Sequence, residues 1–173
     1  MQLAATGAAV TALDISEERL IRVRENLVRT GLHAEVVAAD ALDWTPSEPF
    51  DAVLLDAPCS ATGTLRRHPD LGYARDGSGV AALTVLQAML LDRAADMVKP
   101  GGRLVYCTCS LLPEEGEAQI DGLLDRNPRF RLSEIHAADP AWTVPQGLRI
   151  RPDHWEDRGG IDGFFVACLE NQT

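Results

Sequence analysis

The stretch Ala8–Asp40, AAVTALDISEERLIRVRENLVRTGLHAEVVAAD, carries the plan of the fold. Ala8–Leu13 is an apolar run of strand character that stops at Asp14. Ser16 follows as a helix N-cap, with Glu17 and Glu18 in the first turn, where the helix dipole favours negative charge. Leu20, Val23 and Leu27 recur at helical spacing, Ile21 and Val28 widen the stripe, and Gly31 ends it. Glu35–Ala39 is a second short strand, and it stops at Asp40. A strand, a capped helix and a strand in succession make a crossover unit of the kind that builds parallel sheets.

The alternation continues outward. Trp44–Pro49 (WTPSEP) reads as a loop by its two prolines, and Phe50–Leu55 (FDAVLL) as a third strand ending in Asp56. A long loop, Ala57–Ser78, is rich in Pro, Gly and Arg. Val80–Val98 is helical, Pro100-Gly101-Gly102 breaks it, and Arg103–Cys107 (RLVYC) is a fourth strand. Glu114–Arg126 is a helix with Pro113 near its first position. Phe130–Ile135, Leu148–Ile150 and Gly163–Leu169 have strand character. The pattern predicts one α/β domain over residues 1–173, with a doubly wound, mostly parallel sheet.

Composition narrows the function. The chain has 173 residues, 46% hydrophobic and 24% charged, which excludes a disordered tail and a disulfide miniprotein. Acidic residues outnumber basic ones 26 to 16, for a net charge of −10. That excludes a uniformly basic nucleic-acid glove, since phosphate affinity rests largely on Lys and Arg, but leaves room for a local basic patch. No uncharged run reaches the roughly 18 residues of a membrane span. Met1–Leu13 has no basic leader and runs directly into Asp14, so it does not read as a signal peptide. The four cysteines lie at positions 59, 107, 109 and 168, with no metal-finger spacing. The expectation is a cytoplasmic protein with reduced thiols, no membrane contact and no metal.

Three successive strands end in Asp (Asp14, Asp40, Asp56), and the next ends in Cys107-Thr108-Cys109-Ser110. In an open parallel sheet, ligands bind beyond the carboxyl ends of the strands. A single Asp there usually caps a turn, but three acids and a thiol on one rim favour a site for a nucleoside-containing cofactor. Cys59 and Cys109 lie in loops just past strand ends. Cys107 and Cys168 lie within strands and read as core.

Leu54–Leu71 (LLDAPCSATGTLRRHPDL) and Gly101–Ile120 (GGRLVYCTCSLLPEEGEAQI) closely resemble the two signature segments of RNA (cytosine-5) methyltransferases of the bacterial Sun/Fmu and nucleolar-protein group. Arg66–Asp70 (RRHPD) is most like the bacterial enzymes that methylate small-subunit (16S) ribosomal RNA, and the resemblance covers nearly the whole chain. It implies a Rossmann-like, S-adenosylmethionine-dependent methyltransferase fold. By resemblance, Cys109 would attack C6 of cytosine, Asp56 would hold the base, and Cys59 would assist loss of the C5 proton or release of the enzyme. Asp14 would bind the cofactor ribose, Asp40 would lie by its adenine, and Asp56 completes the acids of the cofactor rim. Arg66, Arg67 and His68 would meet RNA phosphates, with Arg126, Arg129, Arg131, Arg149 and Arg151 as weaker candidates. Trp142 and Trp155 fit packing better than base stacking. An amino-group methyltransferase is disfavoured, because the third strand ends in Asp56-Ala57-Pro58-Cys59 rather than Asn/Asp-Pro-Pro-aromatic.

The family also carries, ahead of the part matched here, a strand and a glycine-rich cofactor loop with a lysine that faces the active site. Met1–Thr6 resembles the end of the helix after that loop, so the domain reads as truncated, short of a strand between those ending in Asp14 and Asp56. Two readings follow: a catalytic core, or a remnant that keeps RNA contacts without effective cofactor binding. The oligomeric state is open.

Overall fold

The structure is a computed structural model that describes residues 1–74 and 77–172. The chain divides into two compact units, Met1–Pro46 and Ser47–Thr173.

In the first unit a short helix α1 (Gln2–Ala5) precedes β1 (Thr11–Asp14), α2 (Glu17–Thr30) and β2 (Glu35–Ala38). The strands pair in parallel from Thr11↔Glu35 to Asp14↔Ala38, and α2 packs on both. The helix has the expected ends: Ser16 Oγ accepts from Arg19 N at 3.3 Å, and Gly31 closes the last turn in the left-handed region at φ 65°. Leu20 and Leu27 are buried, but Ile21 and Val28 are 48% and 84% exposed. Each stands one residue, about 100°, round the helix from a buried leucine, so the stripe is narrower than the sequence suggests.

The second unit contains β3 (Phe50–Asp56), α3 (Leu71–Ala74), α4 (Val80–Asp96), β4 (Val98–Thr108), α5 (Glu117–Arg126), β5 (Phe130–Leu132), β6 (Thr143–Val144), β7 (Gly147–Ile150) and β8 (Phe164–Asn171). The sheet order is β3-β4-β8-β7-β6, with β5 also on β8. β3 and β4 are parallel, while β8 runs antiparallel to β4, β5 and β7. The sheet is therefore mixed, parallel at its chemistry-bearing end. Among the described residues, β1 pairs with β2 alone and β3 with β4 alone. Leu54 on β3 is 58% exposed.

The core is built from Leu91, Leu104, Tyr106, Ile120, Leu123, Phe130, Phe165 and Leu169, all fully buried, with Tyr106 edge-on to Phe165. Trp142 packs inside against His154 and Trp155.

Three boundaries differ from expectation. β4 begins at Val98, because Pro100-Gly101-Gly102 forms an excursion inside the strand rather than a break: β4 advances from Val98 to Arg103 while β3 advances from Phe50 to Ala52. Gly101 takes φ 73°, which a side chain resists. The helix expected from Glu114 begins at Glu117, after a 3₁₀ turn at Pro113–Glu115. Gly116 permits that break, since a Cβ there would meet Arg149 Nη2 at 2.3 Å. The long loop holds a 3₁₀ turn at Thr62–Thr64 and the helix α3, and its positions 75–76 lie outside the described residues.

Candidate active site

The register of β3 and β4 sets Asp56 opposite Cys107, so the two strands end level and their loops start side by side. Ala57 N donates to Cys107 O at 3.0 Å, continuing the ladder one step beyond the strand. The chain then turns through Ala61, a non-glycine residue at φ 59°, a conformation costing about 1–2 kcal/mol that surrounding bonds must hold. Those bonds are present. Thr64 Oγ1 donates to Ala61 O at 2.8 Å, Gly63 N to Cys109 O at 2.9 Å, and Leu111 N to Thr62 Oγ1 at 2.9 Å. The result places Cys59 Sγ 3.5 Å from Cys109 Sγ. Two thiols 50 residues apart in the chain are thus in contact.

Burial is the main reason the Cys59 thiol is pushed up to about 12, and the adjoining Cys109 sulfur adds to the rise. Cys59 therefore carries its proton at neutral pH. Cys107, read from sequence as inert core, is half-buried and points its sulfur at Asp56 Oδ1, 3.8 Å away, and at Leu55 O, 3.7 Å away. Burial first and the Asp56 charge second push that thiol up to about 12 as well. Asp56 itself is exposed at the strand end.

Below the thiols lies a polar bracket that sequence reasoning missed. Glu115 is fully buried, and its carboxyl accepts from Ser60 N at 2.9 and 3.2 Å, from Ser60 Oγ, and from Gln87 Nε2 at 3.0 Å. Gln87, also fully buried on α4, donates to Pro58 O at 2.8 Å. Adjacent acids in PEEGE normally read as a solvated helix start, and the only sequence signal was the run of hydroxyls they would serve, at Ser60, Thr62 and Ser110.

Arg149 corrects another reading. It is buried rather than free for phosphate: it pairs with Glu117, donates to Ser110 O, and lies over the Phe165 ring at 4.9 Å. Arg66 and Arg67 both pair with Asp162, Arg66 at 3.4 Å, yet their side chains stay about half exposed at 47% and 54%. His68 is exposed one residue on. Asp162 also bears on the loop through its neighbour, since Gly163 N donates to Gly63 O at 2.7 Å.

In the first unit, Asp14 is the last residue of β1, while Asp40 lies two residues beyond the end of β2 at Ala38. Both cap local turns: Asp14 Oδ1 accepts from Ser16 N at 2.7 Å, and Asp40 Oδ1 from Leu42 N at 2.9 Å. Asp14 additionally receives the Arg19 fork, at 2.9 Å on Oδ2 and 2.7 Å on Oδ1. That hydrogen bond is the main reason its carboxyl sits below the usual range. The pair therefore persists through neutral pH and is lost only as acid protonates Asp14. Thus the second unit gathers Asp56, Cys59 and Cys109, and the first carries Asp14 and Asp40 at neighbouring strand ends.

Comparison with known proteins gives this arrangement its kin. The chain is 45% identical over 166 residues to ribosomal RNA small subunit methyltransferase B of Vibrio cholerae, a match covering 94% of this chain and 36% of that protein. It is 48% identical over 169 residues to the protein of the same name from Salmonella arizonae, covering 96% and 37%. The chain thus spans little more than a third of the length of these relatives. Among solved structures, it resembles a methyltransferase homologue protein from Pyrococcus horikoshii (TM-score 0.76, 34% identity, 95% of this chain and 53% of that one). It also resembles NSun6 from the same organism, solved with SFG (TM-score 0.80, 29% identity, 96% and 42%). The fold is the Rossmann-like α/β fold of S-adenosylmethionine-dependent methyltransferases. The family described as 16S rRNA methyltransferase RsmB/F matches residues 1–170, and the chain belongs to that family.

Proposed function

We propose that the chain is the catalytic domain of a cytoplasmic methyltransferase that places a methyl group on C5 of a cytosine in small-subunit ribosomal RNA. The observation that carries this reading is the Cys59–Cys109 contact of 3.5 Å at the ends of adjacent parallel strands, beside Asp56. An aromatic C5 is a poor nucleophile until addition at C6 breaks the ring conjugation, so a thiol and an acid that holds the ring are both required. Cys109 sulfur adds to C6 as its thiol proton passes to N3, where Asp56 holds it until the ring regains its conjugation and the proton returns to solvent. After C5 has gained the methyl group, its proton leaves to water and the S–C6 bond breaks, returning its electron pair to Cys109. Cys59, with its proton retained, donates to the departing sulfur. The target base must be unstacked to reach such a site, and Arg66, Arg67 and His68 supply local phosphate contacts on an acidic protein.

S-adenosylmethionine supplies the methyl group when bound. The residues of the first unit fit its nucleoside: Asp14 is a part-exposed, acceptor-only group of the kind a ribose diol requires, with Asp40 one strand away. The Arg19 fork occupies the same oxygens, but this exposed pair yields easily. Arg19→Ala should therefore tighten S-adenosylmethionine binding roughly two- to fivefold in calorimetry at neutral pH. Equal or weaker binding would show that Arg19 does not compete.

The test of the function is a product analysis. With a small-subunit rRNA transcript and methyl-labelled S-adenosylmethionine, label should appear in 5-methylcytidine after digestion to nucleosides. Label in N4-methylcytidine, or none above background, would sink the proposal.

A further inference from the structure

We infer that Glu115 is a positioning residue that sets the distance between the two active-site thiols. Its side chain and main chain reach the two halves of the site separately. The carboxyl accepts from Ser60 N and Ser60 Oγ, one residue after Cys59, and from Gln87 Nε2, whose amide also holds Pro58 O, one residue before Cys59. The Glu115 carbonyl accepts from Tyr106 OH at 2.9 Å and from Thr108 Oγ1 at 3.2 Å, on the strand that delivers Cys109. Glu115, Gln87, Tyr106 and Thr108 are all fully buried, so none of these bonds competes with water. One residue thus ties the Pro58–Ser60 loop to the end of β4, and the 3.5 Å contact between the sulfurs follows from that tie.

The chemistry needs the tie at one step. Elimination requires the Cys59 S–H to stand against the Cys109 sulfur as the S–C6 bond breaks, whereas addition at C6 requires Cys109 alone. Loosening the Cys59 loop therefore slows release more than attack, and the covalent enzyme–RNA species accumulates. In this respect the inference rests on the cytosine C5 reading.

A substitution series separates positioning from bulk structure. Glu115→Ala removes both carboxyl acceptors, and with them the hold on Ser60 and Gln87, while the main-chain carbonyl still accepts from Tyr106 and Thr108. Glu115→Gln keeps Oε1 for Ser60 N and Gln87 Nε2, and its new amide can donate to Ser60 Oγ. With a small-subunit rRNA transcript and S-adenosylmethionine, Glu115→Ala should raise the denaturant-stable adduct roughly tenfold over wild type, as Cys59→Ala does, while Glu115→Gln recovers most of the turnover. A second readout needs no RNA. In glutathione buffer, the two thiols lose their hydrogens and form one S–S bond as oxidised glutathione is reduced to two reduced molecules. Peptide mapping gives the equilibrium constant for the Cys59–Cys109 pair. Glu115→Ala should lower it about tenfold, with Glu115→Gln near wild type. Gln87→Met and Ser60→Ala, each removing one strut, should give intermediate values should Glu115→Ala fail to fold. Wild-type turnover without adduct in Glu115→Ala, or a thiol equilibrium unmoved across the series, would overturn the inference. If the thiol equilibrium falls but Cys59→Ala traps no adduct, the positioning role stands and the cytosine C5 reading fails.

Discussion

Cys109→Ala should abolish methyl transfer, a loss on the order of 10⁴–10⁶-fold, and leave no RNA-linked protein band in a denaturing gel. Cys59→Ala should do the reverse: a first turnover near normal, steady-state turnover down by about 10²–10⁴-fold, and a persistent band of enzyme joined to RNA. The asymmetry follows from the site. The two sulfurs touch at 3.5 Å, so position does not distinguish them, but the loops that carry them do. Cys109 continues β4 directly, whereas Cys59 hangs from a loop braced at Ser60. Burial raises the Cys59 thiol, which suits a donor to a leaving sulfur. A persistent band from Cys109→Ala and none from Cys59→Ala would exchange the two roles.

Gly63→Ala is expected to be nearly as damaging. A Cβ at Gly63 would stand 2.1 Å from Gly163 O and 2.8 Å from Gly163 Cα, both main-chain atoms that cannot rotate aside. Relief requires the loop or the tail to move, and either motion strains Gly63 N to Cys109 O and Gly163 N to Gly63 O. Overpacking of this kind costs about 1–3 kcal/mol. A displacement of about 1 Å at the thiols is enough to lower turnover by roughly 10²-fold. Gly79→Ala is the control: its φ is −81° and nothing lies within 4 Å of an added Cβ. Thermal melting and the rate of 5-methylcytidine formation should separate the two substitutions. Gly63→Ala with wild-type melting and rate would show that the loop tolerates the motion.

How much of this was legible in the sequence depends on the range of each interaction. The helix from Ser16 to Gly31 was readable because its cap, its charges and its terminating glycine act within a few residues of one another. The strand-end acids and thiols were readable because a strand and its terminus are local patterns. Glu115 was not, because its partner Ser60 lies 55 residues away and only the pairing of β3 with β4 brings them together. Arg149 looked like a surface charge until Glu117 and Phe165 closed over it. The same holds for Asp162, whose pairing with Arg66 and Arg67 spans some 95 residues. Ile21 and Val28 failed in the opposite direction, since apolar character alone does not decide which side of a helix is covered.

The place of β8 bears on how the chain is made. β8 joins β4 on one side to β5 and β7 on the other, yet it occupies residues 164–171. During synthesis β3 and β4 can pair once β4 has emerged behind α4, but the sheet then ends at an open edge of β4. β5 and β7 have no place to dock until β8 leaves the ribosome. Long-range pairings of this kind fold slowly and expose strand edges meanwhile. A ribosome stalled before residue 164 would carry an incomplete sheet, with the two strands that lead into the Cys59 and Cys109 loops already formed. Loss of β8 would therefore release β5 and β7 together, rather than trim the sheet by one strand.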